Sequence, residues 1–138
     1  MNTSVFTALL LISSFAQAQS MQAGLWQAKT SLQLNGIPLP SSDDQECISK
    51  ADAKDVKTTI TKMLDKKGCS LTKWSLKGKK LEASLKCSKD DLEAEGRLQG
   101  TVTAKAYDLS GEADGSFKGI PSSATLKLAG QWLKACTP

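Results

Sequence analysis

The groups able to do chemistry in this chain are four cysteines, scattered carboxylates and a run of lysines, with no histidine anywhere. Without an imidazole, Ser-His-Asp and Cys-His hydrolysis are excluded, as are zinc sites built on histidine ligands. A carboxylate pair of the kind that cleaves glycosidic bonds could still be assembled from Asp90, Asp91, Glu93 and Glu95, or from Glu112 with Asp114. Both groups fall in polar, turn-like stretches where carboxylates are usually solvated, so no catalytic residue is assigned. Asp43, Asp44 and Glu46 lack the alternating oxygen ligands and central glycine of a calcium loop. They read as part of a solvated loop, and the sequence calls for neither a metal nor a cofactor.

The cysteines are Cys47, Cys69, Cys87 and Cys136. No Cys-x-x-Cys occurs, which points to structural disulfides and away from redox exchange. Their pairing depends on the elements that carry them. Ser49-Lys50-Ala51-Asp52 has capping-box spacing, and Ala53, Val56, Ile60, Met63 and Leu64 recur at helical intervals until Gly68. One amphipathic helix is therefore expected over residues 50–66, with Thr58-Thr59 as its weak point. An unbroken helix of about 17 residues is roughly 25 Å long, too long for Cys47 and Cys69 at its two ends to be bridged. A hairpin turning at Lys77-Gly78-Lys79 would set Cys69 opposite Cys87, leaving Cys47 to join Cys136.

The remaining pattern is that of strands. Residues 23–34 form a first strand, and residues 37–45, with Pro38, Pro40 and Ser-Ser-Asp-Asp, an exposed loop. Beyond the helix, 70–76 and 80–87 flank the lysine turn, and 96–106 alternates apolar with polar residues. Residues 107–113 and 116–120 are expected to pair across Asp114-Gly115, and 123–133 is the last strand. The fold expected is α+β: a single domain with an antiparallel meander of about six strands, a curved sheet, one helix inserted after the first strand, and two disulfides.

Lys77, Lys79 and Lys80 could contact an anionic surface, although lysines at a hairpin tip also protect an edge from pairing. No aromatic residues interleave them, so nucleic-acid binding lacks its stacking component. Trp26 and Trp74 are candidate ligand-lining residues. In a chain with so few aromatics they are also the natural filling of its core.

Residues 1–18 form an uncharged apolar leader ending in Ala16-Gln17-Ala18, a pattern cut by signal peptidase. Its apolar run, Val5 to Ile12, is too short to span a bilayer, and nothing later reaches that length. The expected product is one domain over residues 19–138, periplasmic or secreted and not membrane-spanning. The net charge of +4 is modest for its size.

Gly24-Leu25-Trp26, then Cys47-Ile48 ahead of Lys50-Ala51-Asp52-Ala53, and a close on Gly130-Gln131-Trp132-Leu133-Lys134-Ala135-Cys136 form an ordered set. In this the chain resembles a bacterial family of small exported proteins, domain of unknown function thirty-six-seventeen, over nearly all of its length beyond the leader. Gln27, Ile48 and Lys134 depart from the acidic residue, leucine and glycine usual in that family. The resemblance implies a periplasmic setting and four structural cysteines, and brings no activity with it.

Function therefore reads as a non-enzymatic binding or interaction module of the envelope, its partner either a small apolar ligand or an envelope protein. A small carboxylate-based hydrolase acting on envelope glycans is the first alternative, and a cationic secreted inhibitor or surface factor the second. Protein purified from its native host should begin at Gln19 and show no alkylatable thiol before reduction and four after it. Recovery of intact, fully reduced chain from the cytosol would overturn the export reading.

Overall fold

The computed structural model describes residues 20–137, so the expected leader lies outside the described residues. The elements in chain order are β1 (Gly24–Leu34), β2 (Ile37–Pro38), β3 (Ser42–Ile48), α1 (Lys50–Ala53), α2 (Val56–Asp65), β4 (Cys69–Lys77), β5 (Lys80–Lys89), β6 (Leu92–Val102), β7 (Ala106–Phe117) and β8 (Ile120–Lys134). All strands join one antiparallel sheet in the order β2-β1-β8-β7-β6-β5-β4, with β3 also paired to β1. The meander runs from β4 to β8, and β1 is added beside β8 so that the first and last long strands are neighbours.

Alternation explains the long strands. On β6, Leu92, Ala94, Gly96, Leu98, Gly100 and Val102 are buried or half-buried, whereas Glu93, Glu95, Arg97, Gln99 and Thr101 are exposed. Tyr107, Leu109, Gly111 and Ala113 continue the buried face on β7, as do Leu126, Leu128 and Gly130 on β8. Against this face pack Ala53 of α1 and Val56, Ile60 and Leu64 of α2, in one hydrophobic cluster with Trp26, Leu81 and Leu85.

The sheet has eight strands, not about six. Residues 37–45 are not simply a loop: Ser42–Ile48 pairs along β1, from Thr30 opposite Ser42 to Gly24 opposite Ile48. Its backbone takes an edge position while most of its polar side chains stay exposed, so alternation gives no signal. The turn expected at Asp114-Gly115 is also displaced. β7 runs straight through these residues, and a β-carbon at Gly115 would collide with the Glu93 carbonyl of β6. The chain reverses instead at Lys118-Gly119, both with positive φ (52° and 76°), the conformation of a tight two-residue hairpin turn.

The single helix expected after the first strand is two short ones after the third strand. The break falls at Asp55, not at Thr58-Thr59. Asp55 is extended (φ −122°, ψ 101°), and its carboxylate accepts from the Lys57 and Thr58 amides and from the Thr58 hydroxyl (3.0, 3.4 and 3.0 Å). An N-cap aspartate thus restarts the helix. Ser49 caps α1 by accepting from the Asp52 amide, while the Asp52 carboxylate turns to Lys62 at 2.8 Å.

Asp55→Ala should lower stability by about 1 kcal/mol, while Asp55→Asn, which still caps, should stay within a few tenths of wild type. The midpoints of urea unfolding followed by circular dichroism measure both. Equal losses in the two variants would show that the cap does not hold α2.

Candidate functional site

Side-chain size varies along the buried face. Toward one end Leu81, Leu98, Leu109 and Leu128 fill the space beneath the helices together with Trp26 and Tyr107. Toward the other, the inward positions on β6, β7 and β8 are small: Ala94, Gly111, Ala113 and Ala124. Helix α2 ends at Asp65, and Gly68, with φ 75°, turns the chain into β4. Small residues past the end of a helix leave space, and the structure has a cavity there of about 350 Å³.

The walls of that cavity are almost wholly apolar. Leu32 of β1, Leu85 of β5, Leu92 of β6 and Leu126 of β8 supply the larger surfaces. Cys69 and Cys87, joined as a disulfide and directly opposite on β4 and β5, form part of its lining. Its polar contributors are Thr30 and three lysines: Lys66 and Lys67 at the end of α2, and Lys89 at the end of β5. Among the described residues no carboxylate lines it.

A second, more polar cavity of about 320 Å³ shares Thr30, Lys66 and Lys67 with the first and extends under β3. Glu46 of β3 pairs there with Lys66 at 2.6 Å, and its hydrogen bond and charge hold the Lys66 ammonium above the ordinary lysine range. Tyr107 also lines this space, its hydroxyl 3.5 Å from the Met63 sulfur. Burial, and then the charge of Glu46, push its phenol up to about 12.

The residues singled out in the sequence are dispersed. Trp26 is 1% exposed, stacks on Tyr107 with ring centroids 5.8 Å apart, and donates its indole N–H to the Gln22 carbonyl at 2.8 Å. Trp74 is half-buried on β4 and packs against the same cluster. Neither lines the apolar cavity. Lys77, Lys79 and Lys80 are exposed at the β4–β5 turn, where Lys80 is 3.5 Å from Glu82. Glu93, Glu95, Glu112 and Asp114 lie on the solvent side of β6 and β7, and Asp90 and Asp91 in the turn before β6. Glu93, Glu95 and Asp114 share a shallow, open depression on that outer side, with Glu95 directly opposite Asp114, but all three are exposed, Glu93 accepts from the Ser88 hydroxyl and Glu95 faces Lys86. Cys47 is bonded to Cys136, tying β3 to the C-terminus. Among the described residues no three His, Cys, Asp or Glu side chains come together as a metal-ligand set, and no helix is long and apolar enough to cross a membrane.

The cavity residues escaped the sequence reading because alanine and glycine carry no chemical signature. The available signal was positional: Gly96 stands opposite Ala113 and Ala113 opposite Ala124, a row of small residues visible only once the register is known.

The family model described as protein of unknown function (DUF3617) matches residues 21–136, and the chain belongs to that family. No curated protein and no solved structure matches it.

Tyr107 is the only tyrosine, so its ionisation can be followed without interference from another phenol. Phenolate absorbance should rise with a midpoint near pH 12 in the folded protein, against about 10 unfolded. Glu46→Gln should lower the folded midpoint. Because the folded state keeps the proton that the unfolded chain loses, stability is unaffected by this group below pH 10 and falls between pH 10 and 12. A midpoint at 10 in folded protein would show that the ring is solvated.

Proposed function

We propose that this chain is an exported, non-enzymatic binding module that holds a small apolar ligand between its sheet and the end of α2. The observation that carries the reading is the 350 Å³ cavity with its apolar walls. Ligand pockets of about 300–1,000 Å³, lined mainly by hydrophobic side chains with a few polar groups, are the usual form of small-molecule sites.

A curved sheet is part of this reading. Thr30 and Leu32 on β1 line the same cavity as Leu85 and Cys87 on β5, four strands away in the sheet order. At about 4.8 Å per strand, a flat sheet would separate them by about 19 Å. Residues 1–18 are then a leader removed on export, and residues 19–138 the working domain in the periplasm or outside the cell. Two disulfides, Cys47 to Cys136 and Cys69 to Cys87, support an oxidising compartment. The hydrolase alternative draws less support, since the carboxylates considered for it lie in a turn or on the outer side of the sheet, where Glu93, Glu95 and Asp114 meet only in a shallow depression open to solvent.

Titration with the uncharged dye N-phenyl-1-naphthylamine tests the reading. Wild-type protein should give saturable, one-to-one fluorescence enhancement, and Ala113→Phe or Ala94→Leu, which place bulk in the cavity, should abolish it while leaving the circular dichroism spectrum intact. No saturable binding by wild type, or undiminished binding by folded variants of both positions, rejects the cavity as a site.

A further inference from the structure

The three lysines at the apolar cavity differ in what already engages them. Lys66 is the C-cap of α2 and is held by Glu46 at 2.6 Å. Lys89 places its ammonium 3.4 Å from the Lys66 carbonyl, next to the negative end of the helix. Lys67 has neither arrangement. Its side chain lines the cavity, the residue is half-buried, and it makes no ion pair among the described residues. Lys67 also borders the second cavity with Asp44 and Glu46, yet among the described residues no carboxylate lies within 4 Å of its ammonium. All three lysines stand at the negative end of α2, and Lys67 is the one that no carboxylate engages and whose ammonium meets no helix carbonyl among the described residues.

We infer that the ligand is a single-chain amphiphile with an anionic headgroup, its tail in the apolar cavity and its headgroup on Lys67, with Lys89 as the second cation. This rests on the cavity being a binding site and names what the site selects. A volume of about 350 Å³ lies at the small end of ligand pockets, which suits one chain of medium length and not a two-chain lipid. Thr30, the other polar residue of the lining, can donate its hydroxyl to the same headgroup oxygens. An anion in this position supplies the ion pair that Lys67 lacks, beside walls that are almost wholly apolar. The same absence of lining carboxylates that admits an anion leaves a cationic amphiphile with no partner.

Displacement of N-phenyl-1-naphthylamine from the intact protein tests the inference with four ligands of equal chain length: dodecanoate, dodecyl phosphate, dodecanol and dodecyltrimethylammonium. At least one of the two anions should bind about tenfold more tightly than dodecanol, the contribution of one charge-assisted hydrogen bond, and the stronger of the two identifies the headgroup. The cationic amphiphile should bind more weakly than dodecanol. Lys67→Gln should remove most of the anion's advantage and leave dodecanol affinity unchanged, Lys67→Arg should retain it, and Lys77→Gln at the distant hairpin should alter nothing. If dodecanol equals both anions in wild type, or Lys67→Gln weakens all four ligands alike, the headgroup assignment is wrong although the cavity still binds. If none of the four displaces the dye, the inference fails. If the dye itself does not bind, the cavity reading fails with it.

Discussion

The architecture depends on the burial of Trp26. Only five aromatic side chains follow residue 18, and this one is almost completely enclosed, stacked on Tyr107 and anchored through its indole N–H to the Gln22 carbonyl. Trp26 lies on β1 and Tyr107 on β7, with β8 between them. The rings meet because β8 presents Gly130 opposite Tyr107, where a β-carbon would run into the tyrosine ring. One stack thus spans three strands, and a small residue in the middle strand makes it possible. The Met63 sulfur meets the tyrosine hydroxyl from α2, which carries the same contact into the helical layer.

The segments that mark the family gather around this stack. Leu25 stands opposite Cys47, Trp26 opposite Trp132 and Ala28 opposite Gly130, while Cys47 is bonded to Cys136. The Trp132 indole N–H donates to the Ala23 carbonyl, and Lys105 lies over its ring. These motifs therefore describe how the ends of the chain are joined. The cavity is made from other residues, on the far parts of the same strands, and none of its walls belongs to the ordered set by which the chain resembles its relatives. The residues that carry the resemblance are in this way separate from those that line the cavity.

What the sequence disclosed follows from which forces leave a local trace. Alternation on β6 was legible because one face of the sheet is buried and the other wet, and the Ser49 cap because a hydroxyl three residues before an aspartate is a local hydrogen-bonding unit. The lysine hairpin was legible from its glycine. β3 was not, because an acidic edge strand is held by backbone hydrogen bonds to β1, which carry no side-chain pattern, and the prolines ahead of it read as a loop. The break before α2 was missed because Asp55 fits a continuous helical pattern as easily as it caps a new one. Gly115 imitated a turn, although its lack of a side chain serves the close approach of β6. The cavity had no trace at all, since it consists of the side-chain volume that Ala94, Gly111, Ala113 and Ala124 do not supply.

The adjacency of β1 and β8 bears on how the molecule is made. A strand that begins at Gly24 finds its principal partner in one that ends at Lys134. Contacts of such high sequence separation form slowly, because a long loop must close before they repay its entropy. β4 to β7 pair with their neighbours in sequence and β1 pairs with the nearby β3, but the contact that unites these two groups needs the fifteen-residue β8. β8 is thus the keystone of the sheet: without it, β1 and β7 would each lose a neighbour, and the two halves of the strand order would have no pairing between them.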